Sequence, residues 1–266
     1  VATRLVVVGG GRMGEALTGG LLTAKWCKPD ELAVAEKVER RRKELSARFP
    51  GVQIVPDPVS ADGAVIAVKP DDVADACAAV AATGTPRALS IAAGVTIARL
   101  EHWLGDSVAV VRAMPNTPAL LGAGAAAIAP GTGAGDDEMA WAERLLRSVG
   151  TVVRVPEDLL DAVTGLSGSG PAYVFLLAEA LVEAGVAAGL PRPTSVALTT
   201  QTVLGAGRLL AESGQTAEEL RAAVTSPGGT TEAGLAALEA SSFRAAVAEA
   251  VAAATARSRD LDPGRT

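Results

Sequence analysis

Short apolar runs alternate with amphipathic stretches along the first half of the chain. LVVVGG (5–10) carries no charge and ends in glycine, which reads as a buried parallel strand. GEALTGGLLTA (14–24) fits the helix that follows it, ELAVAE (31–36) a second strand, and VERRRKELSARF (38–49) a second helix with its charges outward. GAVIAVKP (63–70), DDVADACAAVAA (71–82), RALSIAAGV (87–95), TIARLEHWL (96–104) and SVAVVRAMP (107–115) continue the rhythm. Strands separated by helices predict an α/β fold around a doubly wound parallel sheet.

Near residue 155 the period changes. Beyond it the pattern is helical, over roughly 156–166, 171–189, 192–213, 216–224 and 231–257. GLSGSGP, GLPRP, ESGQ and TSPGG separate these segments with turn and cap chemistry. The expected organisation is an α/β domain over 1–155 followed by an all-helical domain over 156–266. Several of these helices are apolar on more than one face, so they need burial, which points to an oligomer interface.

Composition sharpens the picture. The chain has 266 residues, 49% hydrophobic but only 3% aromatic, so its core is built from Ala, Val and Leu. A net charge of −6 without a long basic run argues against nucleic acid as a partner. Cys27 and Cys77 stand alone and read as reduced thiols of a cytoplasmic protein. The opening VATRLVVVGGG turns to glycine too quickly for a signal peptide. The most apolar later stretch, 171–190, contains Glu179 and Glu183 at helical spacing, which argues against a membrane span. His102, the only histidine, falls outside every motif and reads as a surface residue; no cluster has metal-ligand spacing, so no metal is expected.

Gly9-Gly10-Gly11-Arg12-Met13-Gly14 fits G-x-G-x-x-G, directly after a strand and opening a helix. In that setting Gly9 turns the chain, Gly11 admits a pyrophosphate and Gly14 lets the helix pack on the sheet. The first domain is therefore expected to be a Rossmann-like dinucleotide-binding domain. Glu36 ends the second strand, where a ribose-binding carboxylate belongs and would favour NAD. Lys37, Arg40, Arg41 and Arg42 follow at once and could hold a 2′-phosphate, or simply form a solvated helix face. The residues leave NAD against NADP open.

AVKP (67–70), SIAAGVT (90–96), VRAMPNTPAL (111–120), GLSGSGPAYVF (165–175), TSPGGTT (225–231) and FRAAVAEAV (243–251) occur in that order. Together with the glycine loop they resemble the pyrroline-5-carboxylate reductase family, the enzymes of the last step of proline synthesis, over essentially the whole chain. The resemblance implies NADPH as cofactor with NADH as the alternative, and a small-molecule substrate. It also implies a C-terminal helical domain that binds substrate and forms a homodimer, with dimers assembling further. Gly9, Gly11, Arg12, Met13 and Gly14 would hold the pyrophosphate, with Glu36 and Lys37 at the ribose. Ala67, Val68, Lys69 and Pro70 would pass the cofactor, Ala92, Ala93 and Gly94 would flank the nicotinamide, and Asn116 would help fix that end. Lys69 as an exposed turn lysine and Asn116 as a turn residue are the plainer alternatives. One departure from the family is Glu36-Lys37, where Ser, Thr or Arg is usual.

TSPGGTT has no titratable side chain. A cyclic imine can enter already protonated, so its reduction depends on orienting two bound partners rather than on a strong acid. The glycines allow a concave set of N–H donors at a helix start, suited to a carboxylate. By resemblance Ser226, Gly229 and Thr230 would bind the substrate carboxylate. Thr231 would set its hydroxyl at the ring nitrogen as the catalytic group, or serve only as an N-cap. A reductase of the six-membered homologue and a non-catalytic dinucleotide-binding protein are the competing readings; intact TSPGGTT and AMPNTP disfavour the second.

Overall fold

The computed structural model describes residues 2–261. Eight strands form one sheet in the order β3-β2-β1-β4-β5-β6-β7-β8. They are β1 (Leu5–Val8), β2 (Leu32–Ala35), β3 (Gln53–Val55), β4 (Ala64–Ile66), β5 (Arg87–Ser90), β6 (Ala109–Met114), β7 (Gly124–Pro130) and β8 (Gly150–Arg154). Every pairing is parallel except β6 with β7, where Val111 opposes Pro130 and Met114 opposes Ala127. The doubly wound parallel sheet expected from the pattern is present, with this one antiparallel step. The short edge strand β3, half-buried, was not anticipated: three residues are too few to show a period.

Alternation along β1 divides the core. Leu5 and Val7 face one layer with Leu17 and Leu21 of α1 (Arg12–Thr23), Leu45 of α2 (Glu39–Arg48) and Trp141 of α5 (Asp136–Leu146). Val6 and Val8 face the other with Val73 and Cys77 of α3 (Val73–Ala82) and Leu100 of α4 (Ile97–Leu104). All four β1 residues are buried, as a strand covered on both faces must be.

Beyond β8 come α6 (Leu160–Val163), α7 (Gly170–Ala187), α8 (Arg192–Glu212), α9 (Ala217–Ala223), α10 (Thr230–Ala240) and α11 (Phe243–Asp260). GLSGSGP, expected as a turn, continues α6 instead as a π-helical turn over Thr164–Gly168, where the Ser169 N–H reaches the Thr164 carbonyl at 2.8 Å. The single helix expected over 231–257 is broken at Ser242, which takes a left-handed φ of 59°. Adjacent serines compete with the helix for backbone bonds. Arg244 Nε donates to Glu239 Oε1 at 2.7 Å across the break.

The chain divides into two compact units. One comprises the described residues through Ser169 together with 252–261; the other is Gly170–Val251. In the first unit Ser258 Oγ donates to Asp161 Oδ1 at 2.8 Å, holding the end of α11 to α6. In the second, α7 and α8 form a hairpin in which Ser195 Oγ donates to the Val182 carbonyl at 2.8 Å. Gly185 allows that approach, because a Cβ there would overlap Ser195 Oγ. Among the described residues this helical unit buries only Ser195 and Thr199, and no hydrophobic side chain. Phe175 and Leu176 of α7 are 62% and 65% exposed, so the helices are left with apolar faces that they do not cover themselves. By length and composition alone, the helical run Glu157–Ala187 would suffice to cross a membrane.

Candidate active site

β1 lies between β2 and β4, so the chain winds outward to β3 and returns beside β1. This reversal opens a crevice at the carboxyl ends of β1 and β4, where open α/β sheets take their ligands. Gly9–Gly14 leaves the end of β1 and enters α1. Gly9 has φ +106°, and a Cβ there would come 2.6 Å from the Ala67 carbonyl oxygen, so the loops after β1 and β4 approach as only glycine permits. A Cβ on Gly14 would overlap the Gly9 carbonyl oxygen. Gly11 caps α1 with no side-chain bond, and a Cβ there would meet no atom within 4 Å, so the start of the helix is open beside Gly11. That cradle fits a pyrophosphate.

The other expected cofactor residues sit on the same edge of the sheet. Ala67 and Val68 follow β4, with exposed Lys69 and Pro70 leading into a short 3-10 turn. Ala92, Ala93 and Gly94 follow β5, with Ala92 and Gly94 buried and Ala93 half-buried. Asn116 follows β6. Arg12 is exposed, whereas the Met13 side chain turns inward against the core and leaves only its backbone to the loop.

Asn116 is no simple turn residue. Its Oδ1 accepts from the Ala125 N–H at 2.8 Å, and its Nδ2 donates to the Ser167 carbonyl at 3.0 Å. That carbonyl lacks the usual helical partner because residue 171 is proline, without an N–H. Asn116 therefore ties the β6 loop to the π-helical turn.

Just beyond β2, Glu36 Oε2 accepts from the Gly10 N–H at 3.0 Å and Oε1 from the Val38 N–H at 2.8 Å. The nearby arginines are not all a solvated face. Arg41 Nε donates to the Gly10 carbonyl at 2.7 Å, and its guanidinium pairs with Glu15 and Glu44. The hydrogen bond that the Arg41 guanidinium donates to Glu15 raises the Arg41 pKa above its ordinary value. Arg42 Nη1 donates to the carbonyls of Glu36 and Lys37 at 2.9 and 2.7 Å. Arg40 is exposed beside Glu44, and Lys37 is exposed.

A contact missing from the sequence reading supports the same edge. Glu157 Oε1 accepts from the Ile97 N–H at 2.7 Å and from Arg112 Nη1 at 2.8 Å. It caps α4 from sixty residues away, where Thr96 provides no side-chain cap. The only signal in the sequence was an arginine within an otherwise apolar strand.

Ser226, Gly229, Thr230 and Thr231 belong to the other compact unit. Gly228 adopts φ +71°, and the Gly229 N–H closes the turn on the Ser226 carbonyl at 2.9 Å. Gly229 is the N-cap of α10, with no side-chain cap; Thr231 is the second helical residue. The N-cap alternative for Thr231 is thus corrected: the permissive glycine takes the cap, and the threonine hydroxyl stands on the exposed first turn. Glu232 Oε2 accepts from the Gly228 N–H at 2.7 Å, so this turn already carries one carboxylate of its own. His102 is exposed on the last turn of α4. Tyr173 donates to the Ala250 carbonyl at 3.4 Å.

Residues 157–261 match the family model described as pyrroline-5-carboxylate reductase dimerisation, and residues 4–94 that described as NADP oxidoreductase coenzyme F420-dependent. A pyrroline-5-carboxylate reductase of Synechocystis is 45% identical across 98% of this chain and 99% of its own length. The chain belongs to the pyrroline-5-carboxylate reductase family. The solved pyrroline-5-carboxylate reductase of Coxiella burnetii superposes with a TM-score of 0.92 at 36% identity, covering 98% of this chain and 99% of that one. The Plasmodium falciparum pyrroline carboxylate reductase, solved with NADP bound, gives 0.82 at 30% identity, covering 97% and 98%.

Proposed function

We propose that this chain is an NADPH-dependent oxidoreductase that reduces the C=N bond of 1-pyrroline-5-carboxylate to L-proline, the last step of proline biosynthesis. The observation that carries the reading is the glycine loop at the switch-point crevice, in a chain related along nearly its whole length to reductases of this name. Residues 1–155 are the dinucleotide-binding domain, and residues 156–266 bind substrate and form the dimer.

The bound nicotinamide supplies a hydride. Gly11, with the N–H groups of Arg12, Met13 and Gly14, holds the pyrophosphate at the start of α1. Ala67–Pro70 line the cofactor's path, and Ala92, Ala93 and Gly94 let the ring lie against backbone. Asn116 acts by fixing the loop at that end. The N–H groups at Gly229 and Thr230, with the Ser226 hydroxyl, take the substrate carboxylate. Thr231 presents its hydroxyl to the ring nitrogen. The imine carbon gains the hydride, the C=N electron pair passes to nitrogen, and the proton is the one the imine carried in or one relayed through Thr231 from water.

A second copy of the chain covers the apolar faces of α7 and its neighbours, giving a homodimer through the C-terminal helices and larger assemblies built from dimers. Exposed Phe175 and Leu176 support this, and Glu179 and Glu183 on the same helix oppose burial in lipid. Cys27 and Cys77 are unpaired and buried, in keeping with a cytoplasmic location.

Initial rates of NADPH and NADH oxidation with pyrroline-5-carboxylate test the reading. Turnover is expected. Folded protein that binds dinucleotide yet turns over with neither cofactor overturns it.

A further inference from the structure

Ala92, Ala93 and Gly94 carry at most a methyl group, so the loop between β5 and α4 has few side-chain atoms with which to lock itself in place. Its position has to come from neighbours. Glu157 holds the far side of the loop through the Ile97 N–H. Asp161 stands four residues after Glu157, on the next turn of the same helical run. It is 4% exposed, and a carboxylate so buried must be paired. Ser258, 3% exposed, meets it from the last turn of α11, where Ser258 Oγ donates to Asp161 Oδ1 at 2.8 Å. Arg259 Nε adds a weaker contact, 4.0 Å from Asp161 Oδ2. This end of α11 belongs to the same compact unit as the sheet.

The bond to Asp161 fixes where α11 stops. The Leu261 N–H returns to the Ser258 carbonyl at 3.3 Å, and Leu261 comes to rest on Gly94. Gly94 has φ +72°, and a Cβ there would lie 3.0 Å from the Leu261 Cβ and 3.4 Å from its carbonyl oxygen. Loop and helix end therefore approach as closely as glycine allows. Gly94 is buried, whereas Leu261 remains 49% exposed, so this leucine covers the loop without filling the core.

We propose that Leu261 is a positioning residue for hydride transfer: anchored through Ser258 on Asp161, it presses the loop Ala92–Gly94 into the place against which the nicotinamide lies. The inference rests on the proposed role of that loop as the nicotinamide's flank. Leu261 acts through Gly94 and touches no reacting atom. Loosening it lets the ring shift while the pyrophosphate and adenosine stay held at the glycine loop, and a hydride donor that drifts from its acceptor reacts more slowly.

Calorimetry on the full chain tests this with NADPH and with 2′-phospho-ADP-ribose, which is the same cofactor without its nicotinamide, for wild type, Leu261→Ala and Leu261→Met. Single-turnover mixing with pyrroline-5-carboxylate reads the hydride-transfer step. Leu261→Ala is expected to weaken NADPH about fivefold, to leave 2′-phospho-ADP-ribose within about twofold, and to slow hydride transfer about tenfold. Leu261→Met refills the contact and is expected to return every value to within about twofold of wild type. Ser258→Ala, which releases the helix end from Asp161, should reproduce the Leu261→Ala pattern. Equal weakening of both ligands by Leu261→Ala would mark a general loosening of the unit and overturn the proposal. A Leu261→Ala protein with wild-type NADPH affinity and wild-type hydride transfer overturns it too. A wild type that binds neither ligand overturns the dinucleotide reading itself, and the proposal with it.

Discussion

Glu157 joins three parts of the first unit, and its removal tests whether that junction supports the cofactor edge. Its Oε1 is shared by Arg112 on β6 and by the Ile97 N–H at the start of α4. The Arg112 side chain is 6% exposed and Glu157 30%. Glu157→Ala leaves a buried guanidinium unpaired, which costs about 3–5 kcal/mol for a fully buried pair. It also strips a helix cap, worth about 1 kcal/mol. Partial exposure of the carboxylate lets water replace some of the lost interaction, so the expected net loss is about 3 kcal/mol. For a chain of this size that lowers the melting temperature by roughly 6–12 °C. Glu157→Gln, which keeps an acceptor but not the charge, is expected to lose about half as much.

The assay is urea unfolding at one fixed protein concentration, since subunit association adds to apparent stability. The double variant Arg112→Met/Glu157→Leu removes both charges and is expected to be more stable than Glu157→Ala alone, because no buried charge is left uncompensated. A dinucleotide titration accompanies it: freeing the start of α4 loosens Ala92–Gly94, so Glu157→Ala should weaken cofactor binding. A Glu157→Ala protein within about 0.5 kcal/mol of wild type would refute the reasoning, since losses of that size accompany ordinary surface changes.

Three further outcomes are expected. Thr231→Ala should lower kcat/KM for the imine by about a hundredfold or more while leaving NADPH affinity unchanged, because Thr231 lies on the first turn of α10 and is not one of the groups assigned to the cofactor; an enzyme of full rate would remove Thr231 from the chemistry. Phe175→Glu places a charge on the exposed face of α7 and should shift sedimentation toward the monomer, whereas an unchanged assembly would exclude that face as the contact. Burial pushes the Cys27 thiol up to about 11 and the Cys77 thiol up to about 12, so neither should react with a maleimide at pH 8 until the protein unfolds. Because both pKa values are raised in the folded state, their contribution to stability is intact below the ordinary value of 9.0 and is lost as pH rises through about 11 and 12. Rapid native labelling of Cys77 would contradict its burial.

What the residue pattern revealed and what it hid follow one physical rule. β1, the glycine loop and α1 were readable because their requirements are local: a run of four buried residues, a positive φ at Gly9, and a close approach at Gly14 all leave marks within ten residues. The break at Ser242 was hidden because Ala-rich sequence on both sides is equally good helix, and two serines only tip the balance. β3 was hidden by its brevity. The polar junctions were hidden because the sheet crossovers bring their partners together: Arg112 lies 45 residues from Glu157, and Asn116 lies 51 from Ser167. Even there the sequence held half of each junction. Pro171 has no N–H, so the Ser167 carbonyl four residues earlier had to find a donor elsewhere, and an arginine among the apolar residues of β6 had to find a carboxylate. Unfilled requirements of this kind can be read without knowing the fold; only the identity of the group that meets them needs the structure. Glu36 is the complementary case: the carboxylate was readable at the end of β2, whereas the bonds that engage Arg41 and Arg42 beside it were not. The helical unit extends the rule from side chains to whole faces, since the apolar surface on α7 is a requirement that its own unit does not meet.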